Sequence, residues 1–225
     1  MLYIPPNFRE TDLPTLHAFM REHPFAIVAS HGDSLHVSHL PLMVLPERGP
    51  NGTLLGHFAR ANSHWHDFES GKPVICVFRG PHAFISTSWY QNQPSVPTWN
   101  YAVVHATGRP KLITDPGRMA ELMQRTMAEF DPSLLDPATH GHPPQEYIDA
   151  LTAHIVGFEI KIDTIEGKFK LGQNRSAADQ AGIAAGLEAR DGADSDLLSL
   201  TRKRGEKAGH SDKAGPPLCR EPNWS

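Results

Sequence analysis

The sequence predicts a mainly antiparallel β-barrel with peripheral helices. Short apolar or alternating runs follow one another from Phe25 to Thr107, separated by turn residues. Helical periodicity is confined to a few stretches, so the strands are not interleaved with helices as a doubly wound parallel sheet requires. At 225 residues and 39% hydrophobic content, the chain can bury one sizeable core, with the polar surplus gathered near its C-terminus.

The elements can be justified in order. Thr11 is a candidate cap for a first helix in which Leu13, Leu16, Phe19 and Met20 share a face, stopped at His23-Pro24. Phe25–Ala29 reads as a buried strand. After a turn at His31-Gly32-Asp33 comes an alternating strand, Leu35–Leu40, which ends at Pro41. Thr53–Phe58 is the next strand, and Asn62 or Ser63 caps a short helix through Trp65 and Phe68. Val74–Phe78 and His82–Tyr90 read as two strands, and Thr98–Thr107 as a third that ends at Gly108. Thr114 or Asp115 caps the clearest helix, with Pro116 in its first turn and Met119, Leu122, Met123, Thr126, Met127 and Phe130 on one face. Residues 131–146 read as a Pro- and His-rich loop, and Tyr147–Leu151 as a short helix. Ile155–Ile165 is an alternating strand, and Ser176 with Asp179 starts a last helix carrying Ile183 and Leu187. Domain organisation follows: residues 1–189 form one domain, and residues 190–225 are a polar tail expected to be mobile.

Composition excludes several classes. A net charge of −4 gives no electrostatic footprint for nucleic acid; DNA is left unsupported by charge, though a local patch is compatible with it. Two cysteines, Cys76 in an apolar run and Cys219 in the tail, make neither a disulfide framework nor a metal cluster. No basic region is followed by an apolar block, and no segment is long enough to span a bilayer. The chain is therefore expected to be cytoplasmic, with no membrane partner. There is no dinucleotide fingerprint, Walker loop, G-x-S-x-G elbow or H-E-x-x-H. The 14 histidines include His36-x-x-His39, but on a strand these face opposite ways, and no metal site is expected.

Three clusters carry chemistry. In Gly56–Trp65 a strand ends, Arg60, Asn62, Ser63 and His64 crowd together, and a helix begins. The place suits a phosphate monoester, or equally an ordinary cap with a surface arginine. Ser86–Tyr90 with Val96–Tyr101 interleaves aromatics and hydroxyls, either a wall for a planar ring or barrel-end packing. Lys168–Ser176 joins a strand end to a helix cap with basic and amide side chains, suited to an anion or to a solvated turn.

Together these segments resemble the PaiB family of FMN-binding split-barrel proteins, also described as FMN-binding negative transcriptional regulators. The matching stretches are Met1–Phe8, Ser38–Leu42, His57–Asn62, Val77–Ser86, Val96–Tyr101 and Lys168–Arg175, in family order, covering the chain to about Leu187. The resemblance implies a split barrel related to pyridoxamine-phosphate oxidase, with flavin mononucleotide (FMN) as cofactor at the interface of a homodimer. Carried over residue by residue, it implies that Ser38, His39 and Leu40 border the isoalloxazine. Arg60, Asn62 and Ser63 belong to the corner that holds the phosphate, and His57 and Ala59, in the stretch leading to it, are assigned to the cofactor without a separate role. Trp99 and Asn100 reach the flavin from the opposing subunit, and Lys170, Gln173 and Arg175 lie near the cofactor. Where the related oxidases carry a doubled Arg-Lys, this chain has Ser63-His64, which argues against pyridoxamine-phosphate oxidation. The implied function is a PaiB-type negative transcriptional regulator; the alternative is an FMN-dependent oxidoreductase or flavin reductase acting on a small molecule. No catalytic residue is identifiable.

Overall fold

The structure, a computed structural model, describes residues 1–135, 152–190 and 195–208. These fall into two compact units. Unit one comprises Met1–Leu2, Glu10–Arg79 and Val103–Gly167; unit two comprises Tyr3–Arg9, Gly80–Ala102 and the described residues from Lys168 on. Eight strands form one mostly antiparallel sheet: β1 (Arg9–Glu10), β2 (Phe25–His31), β3 (Leu35–Pro41), β4 (Met43–Leu45), β5 (Thr53–Ala59), β6 (Val74–Ile85), β7 (Thr98–Ile113) and β8 (Ile155–Lys170). Their order is β3-β2-β6-β7-β8-β5-β4, with β1 on β8. The three longest, β6, β7 and β8, run through both units.

In unit one, α1 (Leu13–Glu22) is capped by Asp12, whose carboxylate accepts from the Thr15 amide at 3.0 Å; the expected cap, Thr11, lies one residue too early. β2 and β3 form an antiparallel hairpin whose register pairs Ser30 with His36, Val28 with Ser38 and Ala26 with Leu40. Because side chains alternate, these six share the inner face. Phe25, Leu35 and Val37 lie on the outer one and are 64%, 76% and 60% exposed. β5 pairs antiparallel with β4 and β8. The 3-10 turn Ser63–Trp65 and the single-turn helix α2 (His66–Glu69) follow it. Phe58, Phe68 and Phe158 pack mutually with ring centroids 4.9–5.0 Å apart. α3 (Pro116–Phe130) is capped by Asp115, which accepts from the Arg118 amide at 2.8 Å. From its predicted stripe Leu122 is fully buried, against Met43, Leu45, Leu55 and Ile113, with Met119 beside it.

Two predicted strand breaks are absent. Gly80-Pro81 lies inside β6, beyond the Ile75–Val77 ladder to β2, where a missing proline N–H removes no bond to that strand. Gly108 lies inside β7: a Cβ there would sit 2.1 Å from the Lys161 carbonyl oxygen, so glycine marks a close approach of two strands and not an end.

In unit two, a 3-10 turn (Thr87–Trp89) precedes Tyr90, where His82–Tyr90 was expected to be a strand throughout. α4 (Ala177–Glu188) is capped by Ser176, as predicted, with Ile183 and Leu187 buried. Gly182 and Gly186 bring it against Trp89, whose backbone and ring would lie within 2.2 Å of an added Cβ. A helix not foreseen in the sequence, α5 (Ser195–Ala208), packs on α4 and buries Leu197, Leu198 and Thr201. A few apolar residues spaced at one turn are enough to seat it, although the stretch is polar on average. The expected short helix at Tyr147–Leu151 and Cys219 lie outside the described residues.

Among the described residues no helix is long and apolar enough to cross a membrane, and no group of three or more His, Cys, Asp or Glu is placed to hold a metal ion. Burial pushes the Cys76 thiol up to about 12, which leaves it inert.

Candidate functional site

Unit one carries a buried polar cluster where β3 meets the corner after β5. Ser38 Oγ lies 2.8 Å from His64 Nδ1, and Asn62 Nδ2 donates to Ser38 Oγ at 3.1 Å. The Asn62 carbonyl also accepts from the His64 amide at 3.1 Å, which caps the 3-10 turn and fixes the corner. Behind it, His64 Nε2 lies 2.8 Å from Ser30 Oγ, Ser30 donates to Asp67 Oδ2, and His36 Nδ1 meets the same oxygen at 2.8 Å. His64 is 2% exposed and leans on Phe58 and Phe68, with centroids at 5.1 and 5.8 Å.

The donors can be assigned from one end to the other. Asp67 is acceptor-only, so Ser30 and His36 donate to it. The Ser30 oxygen, its proton spent, accepts from His64 Nε2–H. His64 Nδ1 is then the acceptor for the Ser38 hydroxyl, and Ser38 accepts from Asn62. This assignment requires a neutral His64. Burial lowers the His64 pKa; Asp67 pulls it up and His36 pushes it down again. Burial alone would raise the Asp67 carboxyl, but hydrogen bonds from Ser30 and His36 and the charge of His36 hold it below its usual range.

The other predicted residues of unit one divide by face. Leu40 is half-buried on the inner face with Ser38. His39 is on the outer face, stacked on Phe25 with centroids 6.1 Å apart. His57 is half-buried in β5, and burial lowers its pKa. The Ala59 carbonyl closes the corner by accepting from the Asn62 amide at 2.9 Å. Arg60 braces the entry to β8: its Nε donates to the Ala153 carbonyl at 2.8 Å and its Nη2 to that of Ile155 at 3.0 Å. Its Nη1 makes no hydrogen bond among the described residues. Ser63 is exposed at the corner. Arg60 and Trp65 also border a hollow of about 490 Å³ with Leu112, Met119 and Val156, a ligand-sized space.

In unit two, Trp99 is 48% exposed; its Nε1 donates to His82 Nδ1 at 3.1 Å, and its ring stacks on that imidazole. Asn100 is buried. Lys170 donates to Thr98 Oγ1, and the Arg175 guanidinium lies 4.4 Å from the Tyr90 ring centroid. Gln173 is spent on the local turn: it donates to the carbonyls of Asn7 and Phe169 and accepts from the Leu171 amide. The aromatic Trp89 is packing, as one of its two sequence readings held.

The structure thus brings together Ser38, Asn62 and the neighbouring His64 in unit one, and Asn100, Lys170 and Arg175 in unit two. Sequence reasoning missed Ser30, His36 and Asp67 as members of the first cluster. The available signal was the hairpin register, which sets Ser30 opposite His36; nothing local points to Asp67.

Comparison with known proteins gives a consistent result. Residues 2–164 match the family model described as "Putative FMN-binding domain". The chain is 31% identical over 188 residues to "Protease synthase and sporulation protein PAI 2" of Bacillus subtilis, covering 83% of this chain and 89% of that protein. Among solved structures it resembles the flavocytochrome Anf3 of Azotobacter vinelandii, with TM-score 0.54, 14% identity and 72% of this chain and 69% of that one covered. It also resembles a FAD- and haem-binding protein of Mycobacterium smegmatis, with TM-score 0.53, 14% identity and coverage of 72% and 73%. At such identities the two structures speak for the fold alone.

Proposed function

This chain belongs to the PaiB family of FMN-binding split-barrel proteins, and FMN is its cofactor; from that premise we propose a cytoplasmic, homodimeric regulatory protein that seats the flavin on β3 and on the corner after β5. The observation that carries the proposal is the hydrogen-bonded meeting of Ser38, Asn62 and His64, which joins two segments the resemblance assigned separately to the cofactor.

The donor set fits the group. Leu40, beside Ser38 on the inner face, offers apolar cover for a ring, and Ser38 and Asn62 offer neutral polar edges. Arg60 Nη1 and the exposed Ser63 offer donors to a phosphate monoester. Bound FMN supplies electron and hydride chemistry; the chain's residues bind and orient it. A second copy of the chain is supported by the exposed outer face of the edge strand β3, with Leu35 and Val37, and by the exposed Trp99 and Phe84. The regulatory reading rests on the relationship to PAI 2, named for sporulation.

Titration of the flavin-free chain with FMN, followed by flavin fluorescence, tests the seat. Asn62→Ala is expected to weaken FMN by about tenfold, the worth of one or two buried polar contacts; unchanged affinity would remove the corner from the site. A second reading, an FMN-dependent oxidoreductase, is favoured by the hydrogen-bond chain that runs from the partly exposed His36 to Ser38, a route for a proton. Rapid bleaching of the flavin by a nicotinamide cofactor would favour the enzyme, and retardation of promoter DNA at physiological salt the regulator.

A further inference from the structure

Unit two holds a cavity of about 50 Å³ that the flavin seat proposed above does not use. It is lined by Thr98 and Asn100 at the start of β7, Lys170 at the end of β8, and Gly172 and Arg175 in the turn that follows. One water needs about 10–15 Å³, so the space suits an anion of a few heavy atoms and excludes a tricyclic ring.

Its chemistry is one-sided. Lys170 and Arg175 line it, the charge of Lys168 acts on Lys170 from nearby, and none of the three makes an ion pair among the described residues. Lys168 is buried; it donates to the Tyr3 carbonyl at 2.9 Å and lies over the Tyr3 and Tyr101 rings. Lys170 donates to the Thr98 hydroxyl. No carboxylate lines the cavity. Asp179, whose charge reaches the lining residue Tyr90, is occupied by the amides of Gln91 and Asn92 and by the Asn92 side chain. Burial, and then the charges of Lys168 and Arg175, lower the Lys170 pKa, a strain that an anion would relieve. Finally, Asn100 is 1% exposed and its Nδ2 has no hydrogen-bond partner, an uncommon state for a buried amide.

We infer that this cavity is an anion site, separate from the flavin seat, that takes one phosphate-sized oxyanion between Lys170, Arg175 and Asn100. The resemblance had assigned these residues to the cofactor; the size of the space argues for a smaller ligand. The oxyanion could be borne by free phosphate or by a small phosphate monoester, and the two share the recognition chemistry.

Calorimetric titration of the full chain with inorganic phosphate and with glycerol phosphate, in chloride of matched ionic strength, tests the inference. Saturable binding of either is expected; the tighter one identifies the source. Lys170→Gln and Arg175→Gln are each expected to weaken it by about tenfold while the ratio of FMN to riboflavin affinity stays that of the wild type. Should Lys170→Gln fail to fold, as judged by its thermal melt, Arg175→Gln and the conservative Lys170→Arg carry the same reading. Absence of binding by both ligands, or binding that neither variant weakens, overturns the site. So does a selective loss of FMN over riboflavin affinity, which would hand these residues to the phosphate of the flavin. Because phosphate and flavin are titrated separately, failure of the FMN reading would be visible on its own.

Discussion

Around His64, the identity of each donor sets the protonation state. A neutral imidazole completes the chain from Asn62 to Asp67, whereas a protonated one would aim a second N–H at Ser38 and displace its hydroxyl proton. The pH dependence follows with a definite sign. Burial holds His64, His57 and His105 below the ordinary 6.5, so between that value and the depressed one the unfolded chain binds more protons than the folded chain. Stability therefore falls as pH drops below about 6.5, and His64→Gln should flatten that fall in denaturant melts across pH 5–7; an unaltered slope would mean that His64 is not buried neutral. Asp67 acts in a lower window. Its depressed carboxyl stabilises the fold above the unfolded value of 3.8, and the gain is lost as pH falls through the folded value. Asp67→Asn should cost about 1–3 kcal/mol near neutrality, since Ser30 and His36 lose a charged acceptor, and should remove that acid-limb loss. Little of this cluster was legible in advance. Asn62 and His64 stand in a stretch already marked as chemical and Ser38 in one that only the family resemblance assigned, but Ser30 and Asp67 look like any strand serine and helix aspartate until β2 and α2 are placed.

Elements with a local signature were read well. Asp115-Pro116 and Ser176 start their helices as their side chains dictate, and the β2–β3 hairpin follows its alternation. What failed were positions whose meaning is non-local. Gly108 looks like a strand end because glycine is a weak strand residue, yet it is there because the Lys161 carbonyl leaves no room for a Cβ. Likewise, α5 packs on α4 and buries two leucines and a threonine, a placement invisible in a polar average. The two kinds of position should separate experimentally. Asp115→Ala should cost about 1 kcal/mol as a lost cap, while Gly108→Ala should cost about 1–3 kcal/mol because backbone must move. Equal thermal melts for Gly108→Ala and the wild type would show that β7 and β8 are not in close contact at that point.

For the whole molecule, the sequence conveyed the fold class and the cofactor through the ordered set of stretches; the family match bears out the cofactor, and the similar solved structures bear out the fold. It could not convey which of the assigned residues act together. Gln173 looks like a ligand donor in the sequence, but the fold draws on its amide to brace backbone, and it takes Nε and Nη2 of Arg60 for the same purpose, leaving Nη1 for the proposed phosphate contact. Assembly belongs to this scale as well. If the exposed outer face of β3 is a subunit interface, Val37→Asp should shift the chain from dimer to monomer in sedimentation velocity, and a wild-type monomer at the same concentration would remove the homodimer from the proposal. The most direct measurement is the flavin itself. The chain, purified without added cofactor and then denatured, should release FMN at about one per protomer, and Ser38→Val with Asn62→Ala should release far less. A colourless protein that takes up no added FMN, or a double variant as yellow as the wild type, would contradict the seat assigned to β3 and its neighbouring corner.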